Sequence, residues 1–431
     1  MRLDKAERER IIRLVKQQVV PAIGCTEPVC VALCVARAVE ELGKEPASIQ
    51  VFLSANILKN AMGVGIPGTG MVGLPIAIAL GALVGKSGYG LEVLKDVTAG
   101  DVERGKAFIA EQRIRISLKE DIAEKLYVEA VVKDADGREA KAVIAGSHTH
   151  FILVECAGKV VVDERIPSAG EQKEEACELN LRKVYDFAME TPLEEISFIR
   201  EARVLNEAAS EQALKGCYGH ELGKTLSRPL GRGIMGDTIF SHILSATSCA
   251  CDARMAGAMI PVMSNSGSGN QGICATMPVV VFAEENHNTE EELIRALMLS
   301  HLTAIYIKQS LGVLSALCGC VVASTGSSCG ITYLMGGKYE QISYAVKNMI
   351  ANLTGMICDG AKPSCALKLT SGVSTAVLSA MLAMQQKCVS SVEGIIDDDV
   401  DRSIHNLTSI GAEAMNETDR KVLDIMTHKS C

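Results

Sequence analysis

The chain has 431 residues, of which 48% are hydrophobic, and this is enough to bury a large core in two or three domains. Its net charge of -9 and its isoelectric point of about 5.5 argue against a nucleic-acid-binding surface. The chain contains 16 cysteines and begins with a charged helix rather than a secretory signal. This favours free thiols in a reducing cytoplasm over a secreted, disulfide-stabilised fold.

Three long uncharged runs, at 60–85, 255–283 and 309–337, have the length of a membrane span. Glycine, serine, asparagine or proline interrupts each run, and the chain has no tryptophan to line a membrane interface. The runs therefore predict buried helices and close-packed loops of a protein that lies outside the membrane. A transporter with broken helices is the alternative.

The first helix is predicted at 5–20, where apolar residues recur on one face. The sequence G-C-T-E-P at 24–28 then forms a turn before a second helix at 29–42. Cys25 lies just ahead of this helix, where free amide groups and the helix dipole lower the pKa of a thiol. Cys25 is therefore a candidate base or nucleophile.

A strand predicted at 48–54 leads into a glycine-rich loop at 54–70 that carries Lys59 and Asn60. Loops of this composition close their backbone around small anions. The loop lacks the glycine-rich phosphate motifs of nucleotide-binding proteins. Lys59 and Asn60 are therefore predicted to contact a small substrate.

Residues 91–165 form short alternating or β-branched runs, separated by turns such as D-A-D-G at 134–137. They predict a small, mostly antiparallel sheet subdomain, inserted between helical segments 1–90 and 166–431 that together form the main core. The predicted fold class is α+β. The sequence H-T-H at 148–150 has the spacing of a metal-binding pair, but without a third nearby ligand an exposed strand is the favoured interpretation.

A second polar loop, S-N-S-G-S-G-N-Q-G at 264–272, lies between apolar runs and precedes a predicted helix. Clustered amides and hydroxyls at a helix entrance suit the carboxylate and ammonium groups of an amino acid. A solvated linker is the alternative, but linkers seldom have apolar runs on both sides. The predicted substrate contacts in this loop are Ser264, Asn265, Ser266, Gly267, Ser268 and Asn270.

The segment 317–368 concentrates five cysteines, in L-C-G-C at 317–320, S-S-C at 327–329 and I-C-D-G-A-K-P-S-C at 357–365. Neither the C-x-C nor the C-x6-C spacing is that of a zinc site. Cysteine thiolates bind iron–sulfur clusters, and a cluster with fewer cysteines than irons leaves one iron open as a Lewis acid. The spacing leaves a second interpretation open, in which these cysteines are small buried hydrophobic residues.

Together these motifs resemble the L-cysteine desulfidase family, which is related to the catalytic α-chain of iron–sulfur L-serine dehydratases. The resemblance also includes K-N-A-M-G at 59–63 and extends over nearly the whole chain. It implies a [4Fe-4S] cluster on three cysteines, no pyridoxal phosphate, and elimination of the β-substituent of a small L-amino acid to give pyruvate and ammonia. L-cysteine is the expected substrate, with L-serine as the alternative.

The resemblance assigns roles to individual residues. Cys358 and Cys365 match the second and third cluster ligands. Cys320 is the preferred first ligand from its Gly-Cys setting, and Cys318 is the alternative. Cys25 matches the residue that handles the Cα proton, and the second polar loop matches the substrate-binding stretch.

Two rival classes are open at this point. A pyridoxal-phosphate enzyme would run the same elimination with Lys59 as its Schiff-base lysine. A cysteine-rich metal-binding or transport protein would bind metal without turnover. Neither explains the Cys25 turn together with the second polar loop. A cytoplasmic, cluster-dependent lyase is therefore the predicted function, with a homo-oligomer as one option for its assembly.

The chain ends in T-H-K-S-C, so Cys431 carries a thiol and a free carboxylate, the two groups that L-cysteine offers to iron. This predicts that the terminus enters the active site as a tethered competitor for the open iron. A frayed, solvent-exposed tail is the alternative.

Overall fold

The computed structural model describes residues 3–120, 122, 124–165, 177–312 and 314–429. Its strands are β1 (Pro21–Ile23), β2 (Ser48–Leu53), β3 (Ile114–Leu118), β4 (Tyr127–Lys133), β5 (Glu139–Ala145), β6 (Phe151–Cys156), β7 (Lys159–Asp163) and β8 (Pro261–Met263). The first helices are α1 (Lys5–Gln18), α2 (Thr26–Leu42), α3 (Ala55–Ala61), α4 (Leu74–Leu83), α5 (Ala99–Ala110), α6 (Leu181–Glu190), α7 (Leu193–Ile196), α8 (Arg200–Lys215) and α9 (Leu222–Ser227).

The remaining helices complete the second half of the chain. They are α10 (Pro229–Met235), α11 (Ile239–Met255), α12 (Gly269–Glu285), α13 (Glu290–Leu311), α14 (Gly319–Leu334), α15 (Tyr339–Leu353), α16 (Cys365–Met384), α17 (Val400–Ser409) and α18 (Asn416–Thr427). Short 3₁₀ turns lie at Ser87–Glu92 and Ser197–Ile199, and a π-helical turn lies at Ile410–Ala414.

Within the described residues, six strands form one mixed sheet in the order β3-β2-β4-β5-β6-β7, while β1 pairs with β8. Strand β2 runs parallel to β3 and antiparallel to β4. Its buried residues alternate, so that Ile49, Val51 and Leu53 face the core. Helices α2 and α4 cover this face and share one hydrophobic core with the sheet.

The sheet is wider than the sequence predicted. Strand β2 and the helices that cover it come from the first 90 residues, not from the predicted subdomain at 91–165. Periodicity identifies a strand but not its partners, and β2 pairs with strands that are distant in sequence. The parallel pairing of β2 with β3 also makes the sheet mixed. The α+β class with a mainly helical core is confirmed, at 60% helix.

The larger core gathers α1 and the helices from α6 onward around α13. Helix α13 is buried along most of its length, and α14 packs closely against it. A side chain at Gly326 of α14 would collide with the Ser300 carbonyl of α13, so this approach requires glycine. The close packing holds the amino end of α14 in a fixed position.

The three uncharged runs form α4, α12 and α14 with the loops ahead of them, and most residues of these helices are buried. In the described part of the chain, α16 alone is long and apolar enough to cross a membrane by length and composition. Within α16, 50% of the most apolar stretch of 18 residues is buried inside the protein.

Candidate active site

A cavity of about 90 Å³, here called the inner cavity, lies where four helices begin. Cys25, Ser268 and Cys318 directly precede α2, α12 and α14, and Cys365 is the first residue of α16. Helix amino ends carry partial positive charge and free amide groups, so this arrangement favours anions. The predicted residues that line the cavity are Cys25, Asn60, Ser266, Gly267, Ser268, Asn270, Cys318, Cys320, Cys358 and Cys365.

A short antiparallel bridge brings Cys318 and Cys358 together. The amide of Cys318 donates to the Met356 carbonyl at 2.9 Å, and the amide of Cys358 donates to the Ala316 carbonyl at 2.6 Å. Side chains at alternate positions of paired strands share a face, so both thiols reach the inner cavity. Cys365 joins them from the start of α16.

These thiols lie close enough to influence one another. Burial and the neighbouring Cys318 raise the pKa of Cys358, and burial raises the pKa of Cys365 to about 11. Neighbouring buried thiols resist ionisation because each thiolate would repel the next. A metal centre bound to them would offset this repulsion.

Cys320 also lines the inner cavity and has two thiol neighbours, Cys318 and Cys274 of α12. Hydrogen bonding to Cys274, together with burial, raises the pKa of Cys320, whereas its hydrogen bond with Cys318 opposes this effect and raises the pKa of Cys318. Cys329 lies farther along α14, is buried, and is not among the residues of the cavity wall. Cys318 differs from Cys320 in acting on the pKa of both Cys358 and Cys365.

The metal-ligating groups of the inner cavity are mainly thiols, the usual ligands of iron–sulfur clusters. Across the described ranges, no three His, Cys, Asp or Glu side chains converge closely enough to share one ion. In an iron–sulfur cluster each cysteine binds a different iron, so the thiols stand farther apart around a shared centre. Cys318, Cys358 and Cys365 line one cavity, where they could hold such a centre.

Cys25 does not have the low pKa that its position predicted. Its thiol donates to Glu27 Oε2 at 2.9 Å, and burial together with this carboxylate raises the pKa well above the ordinary value. The prediction of a low pKa is wrong because loss of water and a nearby negative charge outweigh the helix dipole. Arg254 opposes this effect and lowers the pKa of Cys25.

Glu27, to which the sequence assigned no role, is a buried carboxylate with three donors. Besides the Cys25 thiol, Thr26 Oγ1 donates to it at 3.1 Å and Asn60 Nδ2 at 3.0 Å. Burial acts to raise the pKa of Glu27, but the nearby His148 and the thiol hydrogen bond outweigh burial, and the pKa is lowered. Glu27 is therefore ionised and accepts the hydrogen bond of the Cys25 thiol.

His148 is a second wall residue that the sequence did not identify. It lies in the turn between β5 and β6, not on an exposed strand, and its Nε2 atom is buried without a hydrogen-bond partner. Burial lowers the pKa of His148. A Cβ atom at Gly267 would lie 2.9 Å from His148 Nδ1, so glycine allows the two loops to meet. His150, by contrast, faces Glu164 at the surface, at 2.8 Å.

Lys59 and Asn60 have different places. Lys59 does not line the inner cavity, because its buried ammonium pairs with Asp419 of α18 and donates to the Cys358 carbonyl at 3.3 Å. Asn60 lines the cavity and connects Glu27 with the Cys358 thiol, which donates to Asn60 Oδ1 at 4.0 Å. Lys59 thus supports the cysteine loop from behind, and Asn60 faces the space that a ligand would occupy.

The second polar loop is likewise divided. Ser266, Gly267, Ser268 and Asn270 line the inner cavity, whereas Ser264 and Asn265 do not. Ser264 Oγ donates to the Val20 carbonyl at 2.6 Å. Asn265 Nδ2 donates to the His301 carbonyl at 3.1 Å and also lies 3.1 Å from His301 Nδ1. These two residues anchor the loop to the end of α1 and to α13.

Two buried cations complete the wall, Arg254 of α11 and Lys308 of α13. Burial lowers the pKa of Lys308 to about 8. Among the described residues that line the inner cavity, Glu27 is the one carboxylate. Two cations against one carboxylate leave the cavity suited to a further negative group. The sequence did not indicate either cation, because a single basic residue on an apolar helix forms no motif.

A larger cavity of about 850 Å³, here called the outer cavity, adjoins the inner one. The two share His148, Ser266, Gly267 and Lys308. The shared residues make the outer cavity an approach to the inner cavity, with His148 and Lys308 at the passage.

Comparison with known proteins agrees with these motifs. The model of the serine dehydratase alpha-chain family matches residues 88–424, which is most of the chain. The chain belongs to the serine dehydratase alpha-chain family. The predicted relationship to the α-chain of serine dehydratase is confirmed, and it makes the protein a member of a serine dehydratase-like lyase family.

Full-length relatives of this family member carry the name UPF0597 protein, which states no substrate. The relative from Bacteroides thetaiotaomicron is 70% identical over 425 residues and covers 99% of each chain. The relative from Parabacteroides distasonis is 61% identical over 434 residues, covering 100% of both chains. The relative from Porphyromonas gingivalis is 54% identical over 433 residues, which is 99% of this chain and 100% of the relative.

Cys431, the predicted competitor, lies outside the described residues.

Proposed function

We propose that this protein eliminates the β-substituent of L-cysteine to give sulfide, ammonia and pyruvate, with a [4Fe-4S] cluster on Cys318, Cys358 and Cys365. The observation that carries the proposal is one small cavity with these three thiols, the Cys25–Glu27 pair and Arg254 in its wall. Cys318 is preferred to Cys320 as the first ligand because it acts on the pKa of both Cys358 and Cys365 and its backbone pairs with the Cys358 segment.

Such a cluster, when bound, supplies a Lewis-acidic iron that stabilises charge on the leaving group. The residues of the chain supply the proton transfer. Cys25 Sγ accepts the proton of the substrate Cα while its own proton moves to Glu27 Oε2 along their 2.9 Å hydrogen bond, so that no free thiolate has to form. The proton on Glu27 is then available to the departing sulfide, so that the protons balance. Aminoacrylate leaves and hydrolyses to pyruvate and ammonia.

The polar groups of the cavity wall, including Ser268, Asn270 and Arg254, support a small polar substrate. L-Serine is the second candidate, since the family is described as that of the serine dehydratase alpha chain. The preference for L-cysteine rests on the resemblance of the motifs to L-cysteine desulfidases. A pyridoxal-phosphate mechanism is disfavoured because the Lys59 ammonium is buried in its pair with Asp419, away from the cavity wall.

Anaerobic reconstitution with iron and sulfide tests the proposal. We expect a broad visible absorption band, pyruvate and sulfide from L-cysteine, and slower pyruvate formation from L-serine. Cys358→Ser should abolish both the band and turnover, while Cys329→Ser, a buried cysteine outside the cavity wall, should preserve both. A faster reaction with L-serine would name that substrate instead. An absent band, or pyruvate formation that requires pyridoxal phosphate, would overturn the cluster assignment.

The cytoplasmic location and the homo-oligomer stay predictions.

A further inference from the structure

Arg254 is a buried cation that forms no salt bridge with a carboxylate in the described part of the chain. Its residue is 2% exposed, its Nη1 donates to Asn270 Oδ1 at 2.9 Å, and its Nε has no hydrogen-bond partner. Burial of a charge is costly unless an opposite charge compensates it. Arg295 of α13 shows the usual solution, because it pairs with Glu291 at 2.9 Å and donates to two carbonyls.

Arg254 stands in the wall of the inner cavity. Asn270 holds Nη1 from the first turn of α12, and this fixes the plane of the group. A side chain at Gly269 would collide with Arg254 Nε, so glycine lets the guanidinium pack closely against the start of α12. A planar guanidinium held in the wall of a cavity is a suitable partner for a carboxylate.

We propose that Arg254 binds the α-carboxylate of the substrate and thereby selects amino acids over amines. This inference rests on the proposed function and names the residue that recognises one end of the substrate. Arg254 is close enough to Cys25 to affect its thiol. A carboxylate held at Arg254 therefore brings the neighbouring Cα towards Cys25 Sγ. Arg254 is then a substrate-binding residue that the polar loop motif did not include.

Isothermal titration calorimetry with two ligands that lack a leaving group tests the assignment. L-Alanine keeps the carboxylate and the amine, whereas ethylamine keeps the amine only. The reconstituted wild-type protein should bind L-alanine and not ethylamine. Arg254→Gln should weaken L-alanine binding by about 10- to 100-fold, because a charged hydrogen-bonding partner is lost, and Arg254→Lys should recover part of it. Arg295→Gln is the matched control and should bind L-alanine like the wild type.

A stability measurement separates binding from a structural role. Without ligand, Arg254→Met should unfold at a temperature no lower than the wild type, since it removes a buried charge that has no salt bridge, while Arg295→Met should unfold at a lower temperature. Wild-type affinity for L-alanine in Arg254→Gln would overturn the inference. If no pyruvate forms but L-alanine binding still depends on Arg254, the proposed elimination fails and the carboxylate site stands.

Discussion

A comparison of cysteines in two regions of the molecule shows that burial alone does not identify a candidate metal ligand. On α2, beneath the sheet, the Cys34 thiol donates to the Ala142 carbonyl at 3.2 Å, and burial raises its pKa. At the inner cavity, Cys358 also has a raised pKa, with burial as the largest cause, but Cys318 adds to it. Cys34 is fully buried, whereas Cys358 is half-buried in the wall of the inner cavity. Convergence on a cavity, and not burial, distinguishes candidate ligands from core residues.

Substitution of each cysteine of L-C-G-C in turn tests this comparison. It has the largest expected effect of the predictions, on cluster binding and activity. Cys318→Ser should lose the cluster absorption band and nearly all activity. Changes behind a metal site already cost about 10- to 100-fold, and loss of a ligand should exceed that. Cys320→Ser should keep most of the band, since Cys318 is the residue of this pair that acts on both Cys358 and Cys365. Visible spectroscopy after anaerobic reconstitution makes the comparison.

Cys34→Ser is the control from the sheet region. It should keep the band and the activity but lose about 1–3 kcal/mol of unfolding free energy, because a hydroxyl replaces a thiol in an apolar site. If Cys320→Ser loses the band while Cys318→Ser keeps it, the first ligand is the one that the sequence favoured.

Substitution of Lys59 should have the next largest effect, on the free energy of unfolding. Lys59→Met leaves Asp419 buried without its cation and should cost about 3–5 kcal/mol in a urea titration. The double variant Lys59→Met with Asp419→Leu should recover much of this loss, because both charges are then gone. A substrate-contacting lysine would behave otherwise: the single variant would raise KM and leave the unfolding free energy unchanged.

Asp252 is a buried carboxylate outside the cavity wall, and it tests how much its ionisation costs in folding stability. Burial raises its pKa to about 6, and the Gly223 amide donates to Oδ2 at 3.1 Å while Oδ1 has no partner. A raised pKa means that the folded state binds the proton more tightly than the unfolded state. Ionisation of Asp252 therefore costs stability as the pH rises from about 4 through 6, and the cost persists above.

Asp252→Asn should accordingly be more stable than the wild type by about 1–2 kcal/mol at pH 8 and equally stable near pH 4. Urea unfolding at pH 4, 6 and 8 measures the difference. Asp163→Asn should show the opposite sign at neutral pH, because the Arg165 guanidinium lowers the pKa of Asp163 at the surface. A difference that does not vary with pH would contradict the assigned cause.

The sequence alone predicted the α+β class, the first helix, the cysteine segment and six substrate-contacting residues of the second polar loop, four of which line the cavity. These features depend on local patterns: periodicity for the elements, and composition for the loops. It also predicted Cys358, Cys365 and both candidates for the first thiol in one site, from the family resemblance. Strand pairing was not predictable in the same way, since the partners of β2 are set by contacts between distant segments.

Tertiary structure decided the environment of each site residue. The sequence placed Cys25 at a helix start, but Glu27 and the loss of water set its pKa. It placed Lys59 in a glycine-rich loop, but Asp419 of the last helix turned it away from the cavity. Arg254 entered the site because four helix starts meet around it. A sequence pattern specifies which chemical groups a segment carries, whereas charge, hydration and partners depend on what the rest of the fold brings beside them.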